Sequence, residues 1–126
     1  MIHDEEYQRG VELLRQMVGP DRLDAVQAAF AEVSPDFERY VCGFLAGELW
    51  SRPGLDLKTR SLITLAAVAA LGRTRALRFN VEMALHNGAT KQEIIEVFLH
   101  TAGYAGFPAC WEALGIAKEV FDGKSE

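Results

Sequence analysis

The sequence predicts an all-α protein. Its apolar residues recur at spacings of three and four rather than alternating with polar ones, and proline and glycine fall where elements would end. A chain of 126 residues with 49% hydrophobic and 25% charged residues can bury a core without metals or disulfides. We therefore expect a single helical domain over residues 1–126.

Three helices are predicted in the first part of the chain. The first covers residues 4–18 and ends at Gly19, and the second follows Pro20 and runs to about Val33. Ser34-Pro35 then supplies an N-cap and a first-turn proline, a combination that starts helices. This third helix runs to about Ser51, ahead of the turn sequence RPGLD.

Two further helices come next. Asp56 caps one that ends at Gly72, and Thr74 begins another, which Asn87-Gly88 ends as a left-handed C-cap. The sequence SLITLAAVAALG in the first of them is shorter than the roughly 20 apolar residues that cross a bilayer. We expect a buried helix here and no membrane association.

The last two helices have distinct boundaries. Thr90 and Glu93 have the spacing of a capping box, so a helix begins there and runs to about Gly103. The sequence YAGFP interrupts it. Pro108 then begins a final helix, which ends near Phe121.

Charge and cysteine content narrow the classes of partner. The formal net charge is -5 and no basic patch is evident, so we expect no nucleic-acid partner. The N-terminal sequence MIHDEEYQRG is acidic where a signal peptide would be basic and then apolar, which favours a cytoplasmic location. Cys42 and Cys110 form neither a CxxC pair nor a metal cluster, so we expect buried, unreactive thiols.

Two polar residues fall on apolar helix faces when side chains are placed at about 100° per residue. Asn80 is predicted to be buried within the arc of Ala76, Leu77, Val81, Met83 and Ala84. Glu48 points into the centre of the arc of Phe37, Val41, Phe44 and Leu45. A buried unpaired charge is costly, so Glu48 must be hydrogen-bonded, paired, protonated or placed in a solvent-filled pocket. Burial would favour the protonated carboxyl, which is the form that a general acid needs.

A structural role is the alternative for both residues. Glu48 could form a buried salt bridge with Arg52, one turn on, or with Arg60, and Asn80 could satisfy backbone groups. Trp111 is predicted to lie at a subunit contact, because tryptophan is enriched at interfaces. No HExxH, GxSxG, phosphate loop or spaced set of metal ligands occurs, so we predict no metal site.

Four stretches carry a resemblance to a known family: GELWSRPGLDLKTRSLITLAA (47–67), NGAT (87–90), KQEIIEVFLHTAGYAGFPA (91–109) and AKEVF (117–121). In this order and spacing they resemble the carboxymuconolactone decarboxylase family over nearly the whole chain. The resemblance implies an all-helical fold of the alkylhydroperoxidase D type with about six to seven helices. It also implies a homo-oligomer, either a trimer or a hexamer, with active sites near subunit contacts.

The family divides into thiol peroxidases, which carry CxxC followed by histidine, and cofactor-free decarboxylases, which lack the cysteine pair. The matching segment here is RTRALRFN, residues 73–80, which has no cysteine. The resemblance therefore favours the decarboxylase branch and implies no cofactor. Glu48 matches the family pattern GE(V/L)WSRPGL, whereas Asn80 stands where that branch typically has histidine.

The resemblance implies a carboxy-lyase that acts on 4-carboxymuconolactone or a related small unsaturated lactone acid, in aromatic degradation of the β-ketoadipate type. Glu48 would deliver a proton to carbon, and Asn80 would stabilise negative charge on the lactone oxygen. Arg52 and Arg60 are the candidates for binding substrate carboxylates. Two alternatives stay open: a member with altered chemistry that binds another small acid or serves as an oligomeric interaction protein, and a thiol peroxidase, which the missing CxxC disfavours.

Overall fold

The computed structural model describes residues 2–124. Seven α-helices and no strand occur in this part of the chain: α1 Asp4–Val18, α2 Leu23–Val33, α3 Pro35–Tyr40, α4 Leu57–Ala70, α5 Thr74–His86, α6 Lys91–Ala105 and α7 Phe107–Phe121. A π-helical segment, Val41–Leu49, continues directly from α3 and is called the π segment below. The all-α prediction is confirmed.

Backbone contacts divide the chain into two compact units. The first unit ends at Asp56 and contains α1 to α3 and the π segment, and the second begins at Leu57 and contains α4 to α7. The expectation of one domain over the whole chain stays a prediction.

In the first unit, α1 and the π segment pack so closely that backbone atoms of one element contact those of the other. A Cβ atom on Gly10 would lie 1.6 Å from the carbonyl oxygen of Cys42, and one on Gly47 would lie 2.1 Å from the carbonyl oxygen of Glu6. Arg9 adds a hydrogen bond from its Nε to the carbonyl oxygen of Gly47, at 2.7 Å. The contact therefore requires glycine on both helices.

The π segment departs from the predicted third helix, which was expected to be α-helical to about Ser51. The N–H of Trp50 donates to the carbonyl oxygen of Leu45, five residues back, at 2.9 Å. Such bonds widen the helical turn, so the spacing that defines faces of an α-helix does not apply here. The buried residues are Cys42, Gly43, Ala46 and Gly47, whereas Phe37, Phe44 and Leu45 of the predicted apolar arc are exposed. The prediction of that buried arc is wrong.

The second unit has a continuous apolar core. Its largest fully buried side chains come from α4, α5 and α6, and α7 adds small residues: Leu65, Leu77, Val81, Ile94, Phe98, Ala113 and Ala117. The apolar face predicted for α5 is confirmed, because Leu77, Val81 and Ala84 are all buried.

Helix ends in the second unit follow the predicted signals. Thr90 Oγ1 accepts from the N–H of Glu93 at 3.0 Å and Glu93 Oε1 accepts from the N–H of Thr90 at 2.9 Å, so the capping box is confirmed. Gly88 has a φ of 97°, in the left-handed region expected after α5. The helix that follows ends at Ala105 rather than near Gly103. No helix within residues 2–124 is both long and apolar enough to cross a membrane.

Candidate functional site

Glu48 lines a cavity in the first unit that we call the Glu48 cavity. Its volume is about 560 Å³, within the roughly 300–1,000 Å³ that small-molecule sites occupy. The described residues that line it come from the start of α1, from α3 and from the π segment: Ile2, Glu6, Arg39, Tyr40, Gly43, Phe44 and Glu48. The cavity therefore combines two carboxylates, one guanidinium and two aromatic rings.

The predicted burial of Glu48 is wrong, because its side chain is exposed. The wider turn of the π segment directs small residues against α1 and leaves Glu48 on the open side. Of the four environments considered for this carboxylate, the solvent-filled pocket is the one that agrees with its position in the cavity wall.

Arg39 and Glu6 are already oriented within this cavity. The Arg39 guanidinium lies 3.4 Å from the Asp36 carboxylate and 5.5 Å from the centre of the Tyr40 ring. The Glu6 carboxylate accepts a hydrogen bond from the N–H of His3 at 3.0 Å, at the start of α1. The positive end of the α1 dipole offsets the negative charge of Glu6 there. Neither Arg39 nor Glu6 was predicted as a site residue, and no spacing signal in the sequence identifies them.

A second polar cluster joins the three α-helices of the first unit and the π segment. Glu38 Oε2 accepts hydrogen bonds from the Tyr7 hydroxyl at 2.6 Å, from Gln27 Nε2 at 3.2 Å and from the Cys42 thiol at 3.3 Å. The hydrogen bond to Glu38 and partial burial raise the pKa of Tyr7 to about 12. These four residues were not identified together from the sequence, because they are far apart in the chain.

The two thiols are buried, as predicted. Burial, followed by the hydrogen bond to Glu38, raises the pKa of Cys42 to about 12. Thiolates and not thiols are the nucleophiles in peroxidase chemistry, so Cys42 is held in its unreactive form. Within residues 2–124, no group of three His, Cys, Asp or Glu side chains is placed to hold a metal ion.

The other predicted site residues lie outside the wall of the Glu48 cavity. Arg52 is exposed in the turn after the π segment, in the first unit. Arg60 on α4 and Asn80 on α5 belong to the second unit, and both are half-buried. Asn80 is thus less buried than predicted. Its Nδ2 donates to the carbonyl oxygen of Ala76, one turn earlier in α5, at 2.8 Å.

That hydrogen bond uses one of the two hydrogens on the Asn80 amide nitrogen. The second hydrogen and the side-chain oxygen remain for other partners. Both Arg52 and Arg60 take part in interactions within the chain. The structural alternative proposed for Asn80, satisfaction of a backbone group, is therefore observed, and it leaves a donor for a ligand.

Comparison with known proteins adds a family match. The sequence model of the carboxymuconolactone decarboxylase family matches residues 35–119, which include α3, the π segment and nearly all of the second unit. Arg39, Glu48, Arg52, Arg60 and Asn80 all fall within the matched residues.

Three relatives are similar to this chain, two of them over 121 residues and one over 82. A protein of Acinetobacter baylyi named 4-carboxymuconolactone decarboxylase is 38% identical over 121 residues, which are 96% of this chain and 90% of that protein. A protein of Metarhizium robertsii named nitrosuccinic acid decarboxylase is 27% identical over 121 residues, 96% of this chain and 85% of its own. An uncharacterized 15.0 kDa protein of Paracoccus denitrificans is 40% identical over 82 residues, 64% of this chain and 61% of its own.

Proposed function

Because the chain belongs to the carboxymuconolactone decarboxylase family, we propose that it is a cofactor-free decarboxylase of 4-carboxymuconolactone or a related small unsaturated lactone acid. The observation that carries the proposal is the Glu48 cavity, in which a carboxyl group and a guanidinium line a space of about 560 Å³. The names of two relatives support the reaction type, since both are decarboxylases of small acids.

The reaction needs no metal or organic electron sink. The carboxylate that leaves is conjugated through the ring double bond to the lactone carbonyl, so the electron pair of the breaking C–C bond passes into a dienolate as CO₂ departs. The protein has two tasks, which are to stabilise the developing charge on the lactone oxygen and to deliver a proton to carbon.

We assign the proton delivery to Glu48. Its carboxyl group is open to water in the unliganded cavity. A bound lactone acid would displace that water and bring its own negative charge, and both effects favour the neutral carboxyl that can donate a proton. After the proton moves to carbon, Glu48 regains one from solvent.

We assign the stabilisation of the lactone oxygen to Asn80, through the amide hydrogen that the Ala76 carbonyl does not use. A carboxamide cannot replace histidine as an acid, so the proton has to come from elsewhere. Arg52 and Arg60 keep their proposed role in binding substrate carboxylates, because guanidinium groups match that geometry with two hydrogen bonds. The assignments of Glu48 and Asn80 are each tested by a variant.

The first test follows the ultraviolet absorbance of 4-carboxymuconolactone, prepared enzymatically, with and without the protein. We expect the absorbance of the conjugated lactone to fall, and Glu48→Gln to lower kcat roughly 10²–10⁴-fold, the usual contribution of a general acid. Glu32→Gln is the matched control, since Glu32 is an exposed residue of α2 that does not line the cavity. Equal rates for Glu48→Gln and the control would exclude Glu48 as the proton donor.

Asn80→His tests the second assignment. Restoring the histidine typical of the family adds a titratable group, so we expect turnover to increase. Asn80→Ala removes the amide donor and is expected to lower kcat. If both substitutions leave kcat unchanged, Asn80 has a structural role in α5 and no part in the reaction.

A different small acid is the second candidate substrate. The relative named nitrosuccinic acid decarboxylase matches 96% of this chain, and the departure at Asn80 is compatible with altered chemistry. Assaying CO₂ release from nitrosuccinate beside the lactone distinguishes the two substrates. Release from neither compound would favour a member that binds a small acid without decarboxylating it.

A further inference from the structure

We propose that Arg39 binds the substrate carboxylate that is retained through the reaction and so sets the specificity of the Glu48 cavity for acids with a second carboxylate. This inference rests on the proposed function. In this cavity it assigns the retained carboxylate to Arg39, which no sequence motif identified, in place of Arg52 and Arg60, which do not line the cavity. 4-Carboxymuconolactone carries two carboxylates, of which one leaves as CO₂ and one stays on the product.

The charges in the cavity wall point to Arg39. Among the described residues that line it, Arg39 carries the one positive charge beside the carboxylates of Glu6 and Glu48. An anionic ligand entering this cavity meets repulsion from two carboxylates and attraction from the guanidinium. An acid therefore binds there with its carboxylate against Arg39, where two parallel N–H···O bonds can form.

The present partners of Arg39 can give way to a ligand. Its ion pair with Asp36 is long, at 3.4 Å, and both side chains are well exposed, at 49% and 79%. Exposed pairs of this kind contribute little to stability, so a ligand carboxylate can replace Asp36 at little cost. The Tyr40 ring, 5.5 Å from the guanidinium carbon, keeps the side chain beside the cavity.

The chemistry selects the retained carboxylate as the partner. A salt bridge to the departing carboxylate would stabilise the ground state, whose charge moves away from that group as CO₂ forms, and would slow the reaction. A salt bridge to the retained carboxylate is equally strong before and during decarboxylation. Its loss should therefore raise KM and leave kcat nearly unchanged.

Direct binding tests the inference without any turnover. The ligand is γ-carboxymethyl-γ-butyrolactone, a saturated lactone that carries one carboxylate and cannot decarboxylate, titrated by calorimetry. We expect Arg39→Gln to raise its Kd roughly 10- to 100-fold, as the loss of a charged hydrogen-bonded pair predicts. Arg39→Lys should fall between wild type and Arg39→Gln, because lysine keeps the charge and loses the two-bond geometry.

A matched control and a variant with the opposite effect accompany this measurement. Arg15→Gln removes an exposed arginine that also pairs with an acid three residues away, Glu12, but does not line the cavity, so its Kd should equal that of wild type. Asp36→Asn removes the competitor of the ligand and should lower Kd. An Arg39→Gln Kd equal to that of Arg15→Gln, or no binding to wild type, would overturn the inference.

Kinetics separate this inference from the proposed function. With 4-carboxymuconolactone, we expect Arg39→Gln to raise KM roughly 10- to 100-fold with kcat within about threefold of wild type. If wild type has no turnover but ligand binding still depends on Arg39, the proposed reaction fails and the carboxylate site stands. If turnover is present and neither KM nor Kd responds to Arg39→Gln, the site fails and the reaction stands.

Discussion

Glu38 accepts three hydrogen bonds at one carboxylate oxygen, from Tyr7 on α1, Gln27 on α2 and Cys42 on the π segment. Hydrogen bonds to a charged group contribute about 1.5–3 kcal/mol each, more than neutral ones. A single side chain thus links every other helical element of the first unit to α3. Its neighbour Arg39 lines the Glu48 cavity, so the cluster fixes the backbone from which that guanidinium extends.

The pKa of Tyr7 gives this cluster a pH dependence. Its pKa is about 12 in the folded protein against an ordinary 10.0, so the stability it contributes is fully present below pH 10 and is lost as pH rises through 12. We expect Tyr7→Phe to lower the free energy of unfolding by about 1–3 kcal/mol near neutral pH. The stability of the Tyr7→Phe variant should fall less steeply above pH 10 than the stability of wild type.

Urea unfolding between pH 7 and 11.5 measures both effects. Tyr104→Phe is the control, because Tyr104 is 85% exposed and its variant should follow the wild-type curve. Parallel curves for wild type and Tyr7→Phe would mean that the Tyr7 hydroxyl does not stabilise the folded state through Glu38.

Thiol chemistry provides a separate test at the scale of single residues. Cys42 and Cys110 are buried, and the pKa of Cys42 is raised to about 12, so we expect neither thiol to react with a maleimide at pH 7.5 in the native protein. Both should react within minutes in guanidinium chloride. Rapid modification of one cysteine in the native state would revive the thiol peroxidase alternative.

Residues of the candidate site could be identified from the sequence where a motif names them, and not where the folded chain alone brings them together. Glu48 was singled out by its position on a predicted α-helical face and then matched a family pattern, yet its burial was mispredicted because a π-helical turn changes which residues share a face. Glu6 and Arg39 are ordinary charged helix residues in the sequence. Their importance arises from the packing of α1 on the π segment, which no local pattern encodes.

At the scale of elements, the contact between α1 and the π segment depends on the absence of side chains. Gly10 and Gly47 allow two backbones to touch, and Gly43 is covered by Ile2, whose Cγ2 would be 2.2 Å from an added Cβ. Glycine lowers helix propensity by about 1 kcal/mol relative to alanine. The close packing of the two backbones offsets this low propensity in α1 and in the π segment.

Gly10→Ala should therefore destabilise the protein. Its Cβ would lie 1.6 Å from the Cys42 carbonyl oxygen, and only movement of the backbone can relieve that overlap. We expect a loss of about 1–3 kcal/mol in the free energy of unfolding, measured by urea titration. Gly103→Ala on α6 meets no atom within 4 Å and is expected to leave stability unchanged or raise it by up to about 1 kcal/mol. Equal stabilities for the two variants would contradict the close contact.

Helix boundaries were predictable to within a few residues, because caps are local. Ser34, Thr90 and Gly88 act where the sequence places them. The type of helix at residues 41–49 was not predictable, because an α-helix and a π-helix share the same apolar composition. The glycines of this segment pack against α1, a contact between residues distant in sequence that no local pattern shows.

At the scale of the whole molecule, several large apolar side chains remain uncovered by the chain itself. Trp111 is 82% exposed and Phe107 is 73% exposed, four residues apart on α7, so they share one face of that helix. Soluble chains rarely leave such patches open unless a partner covers them. This exposure supports the expected homo-oligomer, with α7 at a subunit contact.

Sedimentation velocity over a range of concentrations tests this expectation. We expect a trimer or a hexamer for wild type, a Tm that rises with concentration, and dissociation toward smaller species in Trp111→Lys. Val33→Lys, which alters an exposed apolar residue of α2, is the control. A wild-type protein that sediments as a monomer at all concentrations would contradict the prediction.

The π segment also makes the direction of the Glu48 side chain depend on the number of residues in the segment. A π-helix uses more residues per turn than an α-helix, and each residue of an α-helix advances its side chain by about 100°. Deleting one residue between Val41 and Glu48 would allow the segment to close into ordinary α-helical turns and would swing every later side chain around the axis. Relatives that differ by a single codon in this segment could thus present a different side chain to the same cavity without any substitution.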